Sequence, residues 1–328
     1  MFIHFAIILI LAIIYGYLNG IHSSASVVST IIASRAIHPR FALILAACSI
    51  SLGPFLLGTA VADTISEDFI SPDAITTRVI AAAILGAILW SSTTLWLKIP
   101  SSISQSLFGG LIGASWAGFG LGAIQTSGLY KILIALFISP ILGLFIALWL
   151  VKLIYFLTQW ADPHINRWFN RGQILASVLM GITFGANNGQ IIVAAIMLGL
   201  IANSTKTSYI IPEWVVIVSA LTVGLGTLTG GMRLIHTLGG KFYKIRPIHG
   251  FGAQLASVIV IFSAATLGGP VSASQVVISS ILGAGSADRI QKVRWSVAQH
   301  IMMGWLLTLP FSALFAIIVY QITERIFL

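Results

Sequence analysis

Apolar runs close to the length of a membrane crossing recur from end to end of this 328-residue chain, at 3–18, 41–62, 79–97, 132–159, 214–229, 251–267 and 301–320. A helix needs about 20 predominantly apolar residues to cross the hydrocarbon core of a bilayer. The runs therefore predict an all-α integral membrane protein with about 10–12 transmembrane segments and no soluble domain. A composition of 58% hydrophobic and 8% charged residues lies outside the range of soluble domains. Met1, Phe2, Ile3 and His4 provide no basic flank ahead of the first run, so that run reads as a membrane segment, not a cleaved signal peptide. Cys48 is the single cysteine, which excludes internal disulfides and cysteine metal motifs. The net charge of +9 does not point to nucleic acid, because the cations lie singly or in small groups between apolar runs. That placement follows the positive-inside rule and makes the lipid bilayer the partner.

A polar element occurs twice in this apolar text. Pro100, Ser102, Ser104 and Gln105, closed by Gly113 and Ala114, recur 170 positions later as Pro270, Ser272, Ser274 and Gln275 with Gly283 and Ala284. Gly20, His22 and Ser23 answer to Gly185, Asn187 and Asn188 at an offset of 165, and Gly58-Thr59 to Gly226-Thr227 at 168. The chain divides accordingly into a first transmembrane repeat (1–158), a polar cytoplasmic linker (159–172) and a second transmembrane repeat (173–328). Long duplicated halves of this kind fit secondary transporters.

Charge sets the relative orientation of the halves. The loop at 35–40 carries Arg35 and Arg40, whereas its counterpart sets Lys206 against Glu213. The next loop is acidic (Asp63, Glu67, Asp68 and Asp73 against Arg78), while its counterpart carries Arg233, Lys241, Lys244 and Arg246. No charge follows the first serine element through 115–129, but Asp288, Arg289, Lys292 and Arg294 follow the second. The bias changes at each matched pair, as inverted-topology repeats require. Loops 35–40, 233–246 and 286–294 then lie in the cytoplasm with the linker, and the N-terminus lies outside.

Pro100 and Pro270 each open a stretch with too many hydroxyls for a lipid-facing helix and too few apolar residues to span alone. Proline suits the first turn of a helix, and a helix N-terminus at membrane depth presents free N–H groups and partial positive charge to an anion. Ser102, Ser104, Gln105, Ser272, Ser274 and Gln275 are the substrate-binding candidates on these re-entrant segments. The alternative is that the serines bond back to their own helices; the matched duplication argues against it. Asn19, His22 and Ser23 in one half, and Asn187, Asn188 and Gln190 in the other, each end one apolar run and begin another, the pattern of a discontinuous helix. Asn187 and Gln190 are further substrate candidates. Asn19, His22, Ser23 and Asn188 are candidates for either cation coupling or substrate binding, since amides and hydroxyls offer both donors and acceptors. An intramembrane His is a functional candidate, and for His22 a neutral hydrogen-bonding role and proton carriage both stand open. His300 reads as a satisfied histidine within the bundle.

These segments resemble the inorganic phosphate transporter (PiT) family nearly end to end. That family carries N-G-x-H/N-D-x-A-N, G-A-N-D-G-Q and two P-V-S-T-T/S-H segments. Here they stand as Asn19 to Ser26, Gly185 to Gln190, Pro100 to Gln105 and Pro270 to Gln275. Gly250 to Ala256 and Trp305 to Pro310 are also similar to family text. The resemblance implies a twelve-helix inverted-repeat fold in the cytoplasmic membrane, usually a homodimer, that moves inorganic phosphate with Na⁺ or H⁺ and needs no cofactor. Where the family has paired aspartates this chain has Ser23 and Asn188, and where it has paired histidines it has Gln105 and Gln275.

The expected function is secondary active transport of inorganic phosphate, with alternating access to an anion site between the repeats. The substitutions open an alternative, a sulfate or related oxyanion permease, because a neutral donor-rich site accepts a fully ionised tetrahedral anion that a carboxylate would repel. A second alternative is a transport-inactive anion sensor or channel. A Na⁺ site can be assembled from Asn19 and Asn188 with hydroxyls and carbonyls, so the coupling ion stays open between Na⁺ and H⁺. An intramembrane hydrolase lacks a carboxylate to orient His22 and any nucleophile motif.

Overall fold

The computed structural model describes residues 2–97, 99, 101–162, 164–203, 210–230, 232–240 and 242–326. Pro100, Lys206 and Lys241 lie outside them. The first half forms α1 (Phe2–Ala33), α2 (Pro39–Leu56), α3 (Ala60–Glu67), α4 (Thr77–Leu97), α5 (Ile103–Phe119) and α6 (Thr126–Leu157). The second half forms α7 (Ile165–Asn203), α8 (Glu213–Thr229), α9 (Met232–Gly240), α10 (Pro247–Thr266), α11 (Ala273–Ser286) and α12 (Trp295–Ile326). A short 3₁₀ turn precedes α6 (Leu121–Ala123) and another precedes α12 (Ile290–Lys292), so the halves repeat helix by helix; the 3₁₀ turn at Pro72–Ala74, before α4, has no counterpart among the described residues. Among the described residues seven helices (α1, α2, α4, α6, α7, α10 and α12) are long and apolar enough to cross a membrane. α8 and α11 are apolar but shorter, at 17 and 14 residues. α7 starts at Ile165, so it already occupies most of the stretch read as linker.

The inversion is visible in side-chain contacts. Along α1 and α7, Ile8 packs against Gly199, Asn19 bonds Asn188, and Ser34 bonds Gln173. Numbers rise on one helix as they fall on the other, so these two equivalent helices run antiparallel. The Ile8–Gly199 contact and the Ser34–Gln173 bond are images of one another at an offset of 165.

Packing crosses between the halves. α6 lies against α10 and α11, and α12 against α4 and α5. α1 packs on α8 and α9, while α7 packs on α2 and α3. The apolar windows of α6 and α12 are only 28% buried, which puts both at the periphery, whereas that of α7 is 89% buried and central.

Four expectations are corrected. α1 and α7 run unbroken through Asn19–Ser26 and Gly185–Gln190. The polar side chains there bond one another while the backbone keeps its own ladder, as burial in a membrane protein demands. The chain breaks instead before α5 and α11. Pro270 is not in a first turn: it stands two residues ahead of Ser272, which holds the N-cap position. Gly58 does not answer to Gly226. Gly58 (φ 73°) and Gly230 (φ 57°) are the left-handed residues after α2 and α8, while Gly226 lies inside α8. His300 is exposed on α12, outside the bundle.

Candidate functional site

α5 and α11 begin in the interior and point their N-termini at each other. Ser102 caps α5, its Oγ accepting from the Gln105 amide at 3.2 Å. Ser272 holds the same place on α11 and donates its hydroxyl to Ser102 Oγ at 2.7 Å. Helical bonding starts with Ser106 to Ser102 and Val276 to Ser272, so the amides of Ile103, Ser104, Ala273 and Ser274 have no partner within their own helices. Each helix end carries roughly half a positive charge. Two such ends facing each other repel unless an anion or a hydrogen bond joins them.

The second layer lies on α1 and α7. Asn188 Nδ2 donates to Asn19 Oδ1 at 3.0 Å and to Ser23 Oγ at 3.1 Å. Ser23 Oγ donates to Asn19 Oδ1 at 3.0 Å. Asn187 holds the loop ahead of α11 from both sides, donating to Val271 O at 2.9 Å and accepting from Val271 N at 3.4 Å. Its repeat mate is His22, which lines a small cavity with Ser26, Ser101 and Ser274. Ser101 is the mate of Val271, so equivalent positions lie beside the two loops, although only Asn187 bonds its loop. Ser102 with Ser272, and Ser23 with Asn188, are pairs of repeat mates in direct contact. In an inverted repeat a residue touches its own mate only beside the two-fold axis, so the site sits on that axis.

Glycines permit this closeness. A methyl group on Gly20 would lie 2.1 Å from Val223 O, and one on Gly185 would lie 2.0 Å from Ile50 O. Each of the two central helices therefore meets a helix of the other half, backbone to backbone, at the level of the site.

Not every candidate faces the paired helix ends. Gln190 caps α3, its Oε1 accepting from Val61 N at 2.7 Å and Ala62 N at 3.3 Å. Ser104, Gln105 and Gln275 are buried in the first turns of α5 and α11, and Gln105 Oε1 has no partner among the described residues. Asn19 Nδ2 and His22 Nε2 are likewise buried and unpartnered. Tyr15, which no motif singled out, donates to Ile103 O at 2.7 Å and steadies the α5 N-terminus. Its only sequence signal is its position one turn before Asn19.

Electrostatically the site is neutral apart from the helix ends. All eight carboxylates are described and none is buried. Among the described residues no cluster of three His, Cys, Asp or Glu could hold a metal ion. The Asn19–Ser23–Asn188 group does not fit a Na⁺ ion as arranged. The amide oxygen of Asn19 is occupied by N–H and O–H donors, and the unpartnered atom is Asn19 Nδ2, itself a donor. The cavity at His22 and Ser274 has a volume of about 10 Å³, the room that one water needs. A tetrahedral anion enters only when the helices part.

The end of the molecule where α6 runs into α7 carries a partly buried polar cluster that sequence reasoning missed. Tyr155 donates to Asp288, Lys292 reaches Asp288 Oδ2 at 2.9 Å, and His249 Nε2 lies 3.4 Å from Asp288 Oδ1. Although burial pushes the Asp288 carboxyl up, the bonds from Tyr155 and Lys292 with His249 alongside hold it down at about 2. The cluster ties α6, α10 and the loop after α11 together.

Inverted helical repeats with two half-helices meeting end to end on the repeat axis define a membrane protein with the architecture of a secondary transporter. The profile of the phosphate transporter family matches residues 19–316, and the chain belongs to that family. It is 38% identical to a probable low-affinity inorganic phosphate transporter of Bacillus subtilis (strain 168), over 98% of this chain and 97% of that one. A protein of the same description from Rhizobium meliloti (strain 1021) is 35% identical, over 94% and 93%. The fold superposes with a TM-score of 0.89 on a solved sodium-dependent phosphate transporter, which is 21% identical, covering 98% of this chain and 99% of that one.

Proposed function

We propose that this chain carries inorganic phosphate across the cell membrane by alternating access, binding the anion between the N-termini of α5 and α11. The observation that carries the reading is the 2.7 Å contact between Ser102 and Ser272, two N-cap hydroxyls at facing helix ends with no buried carboxylate to repel an anion. In the closed state their hydrogen bond bridges two ends of like partial charge. When the helices part, phosphate takes the place of that bond and accepts from both hydroxyls and from the free first-turn amides. Asn187 and Tyr15 hold the two N-termini in position from α7 and α1.

The charge distribution supports an orientation. Arg35, Arg40, Arg167, Arg171, Lys244, Arg246, Arg289, Lys292 and Arg294 gather at the linker end, and Asp63, Glu67, Asp68, Asp73, Glu213 and Glu324 at the other. By the positive-inside rule the linker end is cytoplasmic and the N-terminus outside.

Uptake of labelled phosphate into proteoliposomes, with and without Na⁺ at two pH values and with sulfate as competitor, tests the reading. Saturable uptake and accelerated exchange against internal phosphate are expected. Flux of sulfate with none of phosphate would replace the substrate, and no flux of either would refute a carrier. The Na⁺ and pH arms identify the coupling ion.

A further inference from the structure

The repeats match in backbone but not in polarity on the two sides of the site. Following α1 from the site toward the linker end, Asn19, Ser23, Ser26, Thr30 and Ser34 recur at i, i+4, i+7, i+11 and i+15, which is one face of a helix. Ser34 meets Gln173 across the interface, and Ser177 stands one turn above Gln173 on α7. α10 borders the same region: a methyl on Gly250 would collide with the Gln173 amide, and Gln254 follows one turn later. The mates of Ser26, Thr30 and Ser34 on the opposite side of the site are Ile191, Ala195 and Gly199. Those of Gln173, Ser177 and Gln254 are Ile8, Ala12 and Ile84.

Burial makes the asymmetry informative. Thr30 and Gln173 are 0% exposed and Gln254 1%, yet Thr30 Oγ1, Gln173 Nε2 and both polar atoms of the Gln254 amide lack any partner among the described residues. Unpaired groups of this kind are costly in a closed interior. Their mates Ala195, Ile8 and Ile84 are as deeply buried and leave nothing unpaired.

We infer that the passage between the anion site and the linker end runs between α1, α7 and α10, lined by Ser26, Thr30, Ser34, Gln173, Ser177 and Gln254. We infer also that the resting protein admits water along it while the opposite half stays dry. The inference rests on the carrier reading for what the passage conducts, but water access is measurable by itself. Parting these helices toward the linker end hydrates groups that gain partners; at the matched positions on the other side it wets Ile8, Ala12, Ile84, Ile191 and Ala195, which gain none. The resting equilibrium therefore favours the linker-side opening.

The test compares mates. In a Cys48→Ala background, Thr30→Cys and Ala195→Cys react with a charged, membrane-impermeant thiol reagent in sealed vesicles of each orientation. Thr30→Cys is expected to react from the linker side at least tenfold faster than Ala195→Cys reacts from either side, and phosphate should slow it. Equal, slow labelling of the two overturns the inference, as does faster labelling of Ala195→Cys. Ser26→Cys, a one-atom change on the same stripe, gives the same comparison against Ile191→Cys should Thr30→Cys fail to fold. Phosphate uptake by the background protein separates the two readings. Uptake with no preferential labelling refutes the passage alone, and preferential labelling with no anion flux refutes the carrier alone.

Discussion

Ser102 and Ser272 are repeat mates with different duties in the closed state, and single alanine substitutions separate those duties. Ser102 Oγ accepts from both the Gln105 amide and the Ser272 hydroxyl, whereas no side-chain capping bond is made by Ser272. Ser102→Ala removes an N-cap, worth about 1 kcal/mol, together with the serine–serine bond, worth roughly another 1 kcal/mol. Ser272→Ala removes the second contribution only. The expected loss of stability is therefore about 2 kcal/mol against about 1 kcal/mol. For phosphate the two hydroxyls are equivalent. Each donates a charge-assisted bond worth roughly 1.5–3 kcal/mol, less the roughly 1 kcal/mol bond that binding breaks in the native protein. Each variant should then bind phosphate about 2- to 30-fold more weakly, since 1.4 kcal/mol is a factor of ten. Thermal unfolding in detergent and equilibrium binding of labelled phosphate measure the two quantities on one sample. Unchanged affinity in both variants, with transport intact, would refute the site between α5 and α11. Equal destabilisation would refute the capping asymmetry.

Gly185→Ala sets a methyl 2.0 Å from Ile50 O and 2.7 Å from its carbonyl carbon, so α2 and α7 must separate. A loss of roughly 1–3 kcal/mol is expected, with uptake abolished, while Gly122→Ala, with nothing within 4 Å, leaves both unchanged. Asp288→Asn loosens the tie among α6, α10 and the loop after α11, at a cost of about 1 kcal/mol. Because the folded carboxyl is held at about 2, below its ordinary 3.8, its stabilisation is present above pH 4 and lost as pH falls through about 2. The melting temperatures of wild type and variant should converge over that range; a constant difference would contradict the assignment.

The repeats were legible because a polar residue in apolar text is conspicuous, and Ser102, Ser272, Ser23 and Asn188 all proved to lie on the axis the duplication implies. Antiparallel α1 and α7 likewise agree with the inversion read from loop charge. Helix continuity was not legible. Asn19, Gly20 and Asn188 carry the composition of a break, yet their side chains satisfy one another and the backbone ladder survives. Nor could the sequence show that Gln190 serves α3, since that bond joins residues 128 and 129 positions apart. The true partner of Gly58 was hidden because the offset between halves drifts from 165 at α1 to 172 at the turn after α2.

The exchange of last helices has a consequence for what one half can do alone and for which helices form one body. The sixth helix of either half finds its bed on the other half, so a single half has no surface of its own on which to seat it. A half-length chain could seat its sixth helix only on a second, antiparallel copy. The packed bodies are consequently not the two halves of the sequence. Each is a composite of both, and any motion that keeps these contacts carries α4 and α5 with α12, and α10 and α11 with α6.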